Sequence, residues 1–132
     1  MYQTILLIDD DPDDIQILQD AIASLGEKRI FQTAGSRAQV YELLQNMQTI
    51  PDLVFLDLNM PGVTDTELLQ KLKTSDATRA IPIVLYSTHP NEVMRQIAKP
   101  YTAEYYIQKP SDYKELVALL KQIIISDVPH LI

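Results

Sequence analysis

Five short apolar runs, Ile5–Ile8, Ile30–Thr33, Leu53–Leu56, Ile83–Tyr86 and Tyr105–Ile107, most tightly constrain what this chain can fold into. Each is rich in β-branched or aromatic residues and largely lacks polar alternation. Strands of a parallel sheet covered on both faces read this way. Between the runs lie longer stretches with apolar residues at helical spacing. Asp11 caps a helix with Pro12 in its first turn; Ile15, Leu18, Ile22 and Leu25 form its inward stripe, and Gly26 supplies a stop. Ser36 with Gln39 and Thr64 with Glu67 have the spacing of capping boxes. Pro90 can start a further helix that Pro100 ends, and Asp112 with Glu115 caps the last. Strands alternating with helices predict an α/β fold: five βα units making a doubly wound, five-stranded parallel sheet.

The chain has 132 residues, of which 46% are hydrophobic and 22% charged, enough for one packed domain. It contains no cysteine, which excludes disulfides, thiolate metal sites and a cysteine nucleophile. No apolar stretch approaches the roughly 20 residues needed to span a bilayer, and the N-terminus lacks the basic-then-apolar order of a secretory signal. These features predict a cytoplasmic chain with no membrane partner. A net charge of −7 without a Lys/Arg cluster argues against nucleic acid as a direct partner.

Ligands of open α/β sheets bind beyond the carboxyl ends of the strands, so the residues that follow each strand matter most. The first run is followed by Asp9, Asp10 and Asp11; the third by Asp57, Leu58 and Asn59, then Met60-Pro61-Gly62; the fourth by Ser87 and Thr88; the fifth by Lys109 and Pro110. The opening “TILLIDDDPDDI” places five aspartates within positions 9–14. Asp11, Asp13 and Asp14 are explained by helix capping and the helix dipole. Asp9 and Asp10 are not. Beside Asp57 they repel one another and resist full ionisation. A hard dication relieves this, and an all-oxygen donor set suits Mg²⁺. A carboxylate can also attack phosphorus to give an aspartyl phosphate. The metal, Lys109 and Ser87 would then stabilise charge on the transferring group. His89 and His130 read as surface residues rather than ligands. Tyr101, Tyr105, Tyr106 and Tyr113 gather around the last strand and helix, where packing is the default and docking the alternative.

Taken together and in order, “LLIDD”, “DLVFLDLNMPG”, “PIVLYST” and “YYIQKP” resemble the receiver domain of two-component response regulators, in particular stand-alone receivers of the chemotaxis type. The resemblance covers nearly the whole chain and implies a flavodoxin-like strand order, 2-1-3-4-5. It implies that Asp57 accepts the phosphoryl group. Asp10 and Asp57 would bind Mg²⁺ through their side chains, Asp9 mainly through water, and Asn59 through its backbone carbonyl. Ser87 would hydrogen-bond the phosphoryl group and Lys109 would pair with it. The Lys109–Pro110 bond would be cis, as X-Pro bonds can be. Tyr106 would be the aromatic switch, turning inward as Ser87 moves and reshaping the face of the fourth helix, fifth strand and fifth helix. Two positions depart from the family's pattern: Thr88 stands where a very small residue is usual and would gate access to Asp57, and Thr102-Ala103 replaces the usual Gly-Ala.

The expected organisation is a receiver domain over residues 1–127 and a short tail over 128–132, with no output domain. Output would then be a protein contact on the switching face, or onward transfer of phosphate in a relay. The expected partners are a sensor histidine kinase or histidine phosphotransfer protein and a downstream protein target; the apolar tail (Val128, Leu131, Ile132) could extend a homodimer surface. Such a chain assists its own phosphorylation and dephosphorylation without being an enzyme in the usual sense. An aspartate-nucleophile phosphatase is the competing enzyme class. There, however, Asn59 stands where a general acid is needed. A flavodoxin-like cofactor binder is disfavoured because the aspartates after the first strand would repel a flavin phosphate.

Overall fold

The apolar runs are continuous because most of the strands are walled in on both sides. The structure, a computed structural model, describes residues 2–60, 62 and 66–125. Five parallel strands, β1 (Thr4–Ile8), β2 (Ile30–Ala34), β3 (Leu53–Asp57), β4 (Ile83–Ser87) and β5 (Tyr105–Gln108), lie in the order 2-1-3-4-5. Five helices alternate with them: α1 (Pro12–Ala23), α2 (Arg37–Gln45), α3 (Glu67–Thr74), α4 (Asn91–Ala98) and α5 (Tyr113–Ile124). Successive strand residues point to opposite faces. On one face Ile5, Leu7, Phe55, Val84 and Ile107 pack against α1 and α5 through Leu18, Ile22, Leu116 and Leu120. On the other, Leu6, Ile8, Val54, Leu56 and Leu85 meet α2, α3 and α4 through Val40, Leu69 and Met94. Phe55 and Tyr86 contact edge to face, their ring centroids 6.4 Å apart. β2 departs from the buried pattern. It is an edge strand, and its Ile30 is 63% exposed. Among the described residues no helix is long and apolar enough to cross a membrane.

The helix starts follow local chemistry, with differences of detail. Asp11 caps α1 by accepting from Asp13 N–H. Ser36 caps α2 by accepting from Gln39 N–H, while the Gln39 amide oxygen accepts from Gly35 N–H at 2.6 Å, one residue earlier than a capping box requires. Asp112 caps α5 through Lys114 N–H. α3 begins after Thr66, which makes no side-chain cap. The cap expected from Thr64 lies outside the described residues, as do His130 and the tail at 128–132. The cis peptide bond among the described residues is Lys99–Pro100; Lys109–Pro110 is not cis. Any X-Pro bond can adopt cis at low cost, so that preference does not choose among prolines.

The central strands should dominate stability. Phe55→Ala is expected to cost about 3–5 kcal/mol, because it empties a site closed on all sides. Ile30→Ala on the exposed edge should change stability by less than about 1 kcal/mol. Urea unfolding of the two variants checks both.

Candidate functional site

Strand pairing brings distant acids together. β1 and β3 pair with Ile8 opposite Leu56, so the residues that follow, Asp9 and Asp57, emerge side by side. The strand order reverses between these two neighbours, and at such a point the loops diverge to leave a crevice. Both carboxylates are buried, 5% and 6% exposed, while Asp10 is exposed. Each buried acid is fixed by its own turn. Asp9 Oδ1 accepts from Asp11 N–H, and Asp57 Oδ1 accepts from Asn59 N–H, both at 3.0 Å. The second oxygen of each faces Lys109, whose Nζ lies 3.3 Å from Asp9 Oδ2 and 3.5 Å from Asp57 Oδ2. Lys109 extends the β5 ladder, donating its backbone N–H to Ser87 O, which directs its side chain across the strand ends.

The shortest contact of this ammonium is with Asp14 Oδ2, at 2.9 Å. The helix dipole alone therefore does not account for Asp14, which belongs to the site. Burial alone would lower the Lys109 pKa. Its hydrogen bond to Asp14 and the charges of Asp57 and Asp9 outweigh burial and raise it above the ordinary lysine value. Its Nζ also sits 5.0 Å from the Tyr86 ring centroid, and burial pushes the Tyr86 phenol up to about 12 against the pull of that charge. Asp9 is raised from 3.8 to about 6, chiefly by burial and further by the charge of Asp57, although Asp11 N–H and Lys109 oppose the shift.

Asp9, Asp10 and Asp57 each offer a carboxylate oxygen within 4.8 Å of the others. Hard oxygen donors with no sulfur or nitrogen fit a hard divalent cation. Three carboxylates, of Asp9, Asp14 and Asp57, face one ammonium, and with Asp10 close to two of them they leave an excess of negative charge for such an ion to neutralise. Ser87 is wholly buried on the far side of Asn59, whose side-chain amide reaches both Ser87 Oγ at 3.0 Å and Thr88 Oγ1 at 3.3 Å. The His89 ring meets Asn59 as well, with Nε2 3.1 Å from Oδ1. Sequence reasoning left His89 as a surface residue. The pairing of β3 with β4, Asp57 opposite Tyr86, is what places the two loops against each other. Tyr106 lies apart from the acids, within the α2–α3–α4 core. Its hydroxyl accepts from Ala103 N–H, and the Arg95 guanidinium sits 4.7 Å from its ring centroid.

Comparison with known proteins agrees with this arrangement. Residues 5–121 match the response regulator receiver domain family. The phosphate regulon transcriptional regulatory protein PhoB of Pseudomonas aeruginosa is 30% identical over 122 residues, 92% of this chain and 52% of that protein. The chain spans about half the length of the curated relatives it matches. Among solved structures, the phosphorylated cyanobacterial phytochrome response regulator RcpA superposes with a TM-score of 0.82 at 24% identity, covering 97% of each chain. The Mn²⁺-bound form of response regulator Rcp1 gives 0.80 at 22% identity, covering 96% of each.

The raised Asp9 pKa makes stability pH-dependent. The folded protein holds the Asp9 proton more tightly than the unfolded chain between about pH 4 and pH 6. Stability without divalent metal should therefore fall as pH rises through that window, by roughly 1–3 kcal/mol, and level off above it. Asp9→Asn should flatten the profile there and stabilise the metal-free protein at pH 7, since Lys109 keeps Asp14 and Asp57. Urea unfolding in a chelating buffer across pH 4–8 measures both effects.

Proposed function

Because the chain belongs to the response regulator receiver domain family, we propose that it is a signalling switch that accepts a phosphoryl group on Asp57 from a histidine kinase or a histidine phosphotransfer protein. The observation that carries this reading is the setting of Asp57: buried, one oxygen pinned by Asn59 N–H, the other turned toward Lys109. An Asp57 oxygen forms the new bond to phosphorus as the donor's P–N bond breaks, and the leaving nitrogen keeps the electron pair. Lys109 remains protonated throughout, as its raised pKa favours, and offsets charge on the incoming oxygens. Mg²⁺ held by the side chains of Asp10 and Asp57, by Asp9 through water and by the Asn59 carbonyl would supply further positive charge at those oxygens. The phosphorylated and Mn²⁺-bound forms among solved structures of this fold favour the same reading.

Output is assigned to the face of α4, β5 and α5. A groove of about 570 Å³ there, lined by Asn91, Tyr106, Gln108, Glu115 and Leu119, runs up to Lys109. A change of charge at Asp57 thereby has a short route to a partner surface, with Tyr106 in its wall. Action in the cytoplasm on a protein target, by a phosphoacceptor that assists its own turnover rather than by an enzyme in the usual sense, completes the reading. The exposed Thr88 is assigned as a gate, since its hydroxyl accepts from the side-chain amide of Asn59, two residues past Asp57.

Incubation with phosphoramidate and Mg²⁺, followed by intact mass, should show a single phosphate adduct on the wild type. Asp57→Asn should show none, and an adduct on that variant would move the acceptor elsewhere. For the gate, Thr88→Ala should shorten the lifetime of the adduct several-fold, read by its decay after the donor is removed.

A further inference from the structure

We propose that Asn59 and His89 are positioning residues that make the Ser87 hydroxyl a one-way donor toward a phosphoryl group on Asp57; this rests on Asp57 being the acceptor. A serine hydroxyl has one proton and two lone pairs. Ser87 Oγ accepts from the Asn59 side-chain amide at 3.0 Å and from the His89 backbone N–H at 3.2 Å. Both lone pairs are engaged in a residue with no solvent exposure. Only the O–H is left, and it can only donate, which is what an anionic oxygen requires.

The Asn59 amide could be satisfied either way round, and the two orientations have opposite effects on Ser87. With its NH₂ toward Ser87 it occupies a lone pair; with its carbonyl there it would draw off the serine proton. Asn59 Oδ1 lies 3.1 Å from His89 Nε2, while its NH₂ also reaches Thr88 Oγ1. A proton on Nε2 fixes the carbonyl toward the ring and the NH₂ toward Ser87. The His89 ring thus sets the polarity of Ser87 through Asn59. Both positioning residues follow the groups they serve by two places, Asn59 after Asp57 and His89 after Ser87.

With phosphoramidate as donor, an Asp57 oxygen bonds to phosphorus, the P–N bond breaks, and ammonia leaves with the electron pair and the protons already on nitrogen. The Ser87 proton stays on Ser87 and hydrogen-bonds a phosphoryl oxygen. Losing the orientation of that one hydrogen bond should slow adduct formation roughly 3–10-fold.

The test is a time course of intact mass with phosphoramidate and Mg²⁺ on the full chain. His89→Leu should slow adduct formation by that factor without moving the Mg²⁺ midpoint. His89→Gln, which restores a side-chain N–H, should recover most of the rate. In a Ser87→Ala background, His89→Leu should have no further effect. Equal slowing with and without Ser87, no recovery with glutamine, or faster reaction in His89→Leu overturns the proposal. If every His89 variant forms the adduct at the wild-type rate, this inference alone fails. If the wild type forms none, Asp57 is not the acceptor and both readings fall.

Discussion

A single ammonium just past β5, reaching carboxylates just past β1, on α1 and at the end of β3, is the interaction on which the site depends. Lys109 is separated by 100 residues from Asp9, 95 from Asp14 and 52 from Asp57. No local segment can therefore hold the cluster together. The acids are tolerable side by side because a cation stands among them and because Asp11 and Asn59 N–H groups take up one oxygen of each buried acid. Such an arrangement adds little net stability, since desolvating the charges offsets much of their attraction. What it provides is a carboxylate kept in place, poorly solvated and next to positive charge, which are the conditions for reaction with an electrophilic phosphorus.

The fold was legible in the sequence to the extent that burial on both faces leaves a mark. Strands β1, β3 and β4 are continuous apolar runs because helices cover each side. β2 has the same look at Ile30 and Phe31, yet lies at an edge with its first residue exposed, because composition does not record a strand's place in the sheet. Caps at Asp11, Ser36 and Asp112 could be read directly, since each acts within three residues of itself. The choice of cis proline could not, because every X-Pro pair carries the same low cost of the cis form.

The site was legible for the same reason that it exists. Residues just past a strand end must share the crevice, so Asp9, Asp10, Asp57, Ser87 and Lys109 could be gathered without knowing any distance. Asp14 and His89 were assigned too little. Asp14 already had a sufficient explanation at the start of α1, and nothing in a linear reading indicates that one side chain serves two purposes. His89 meets Asn59 across the loops that follow β4 and β3; the expected strand order makes these loops neighbours but does not say which of their side chains touch.

The two hydrophobic layers share a single wall, and alternate residues of each strand belong to different layers. On β5, Tyr106 belongs with α2, α3 and α4, whereas Ile107 belongs with α1 and α5. The face of α4, β5 and α5 therefore takes its side chains from both layers, since α4 lies in one and α5 in the other, and a substitution confined to one layer remodels only half of that face.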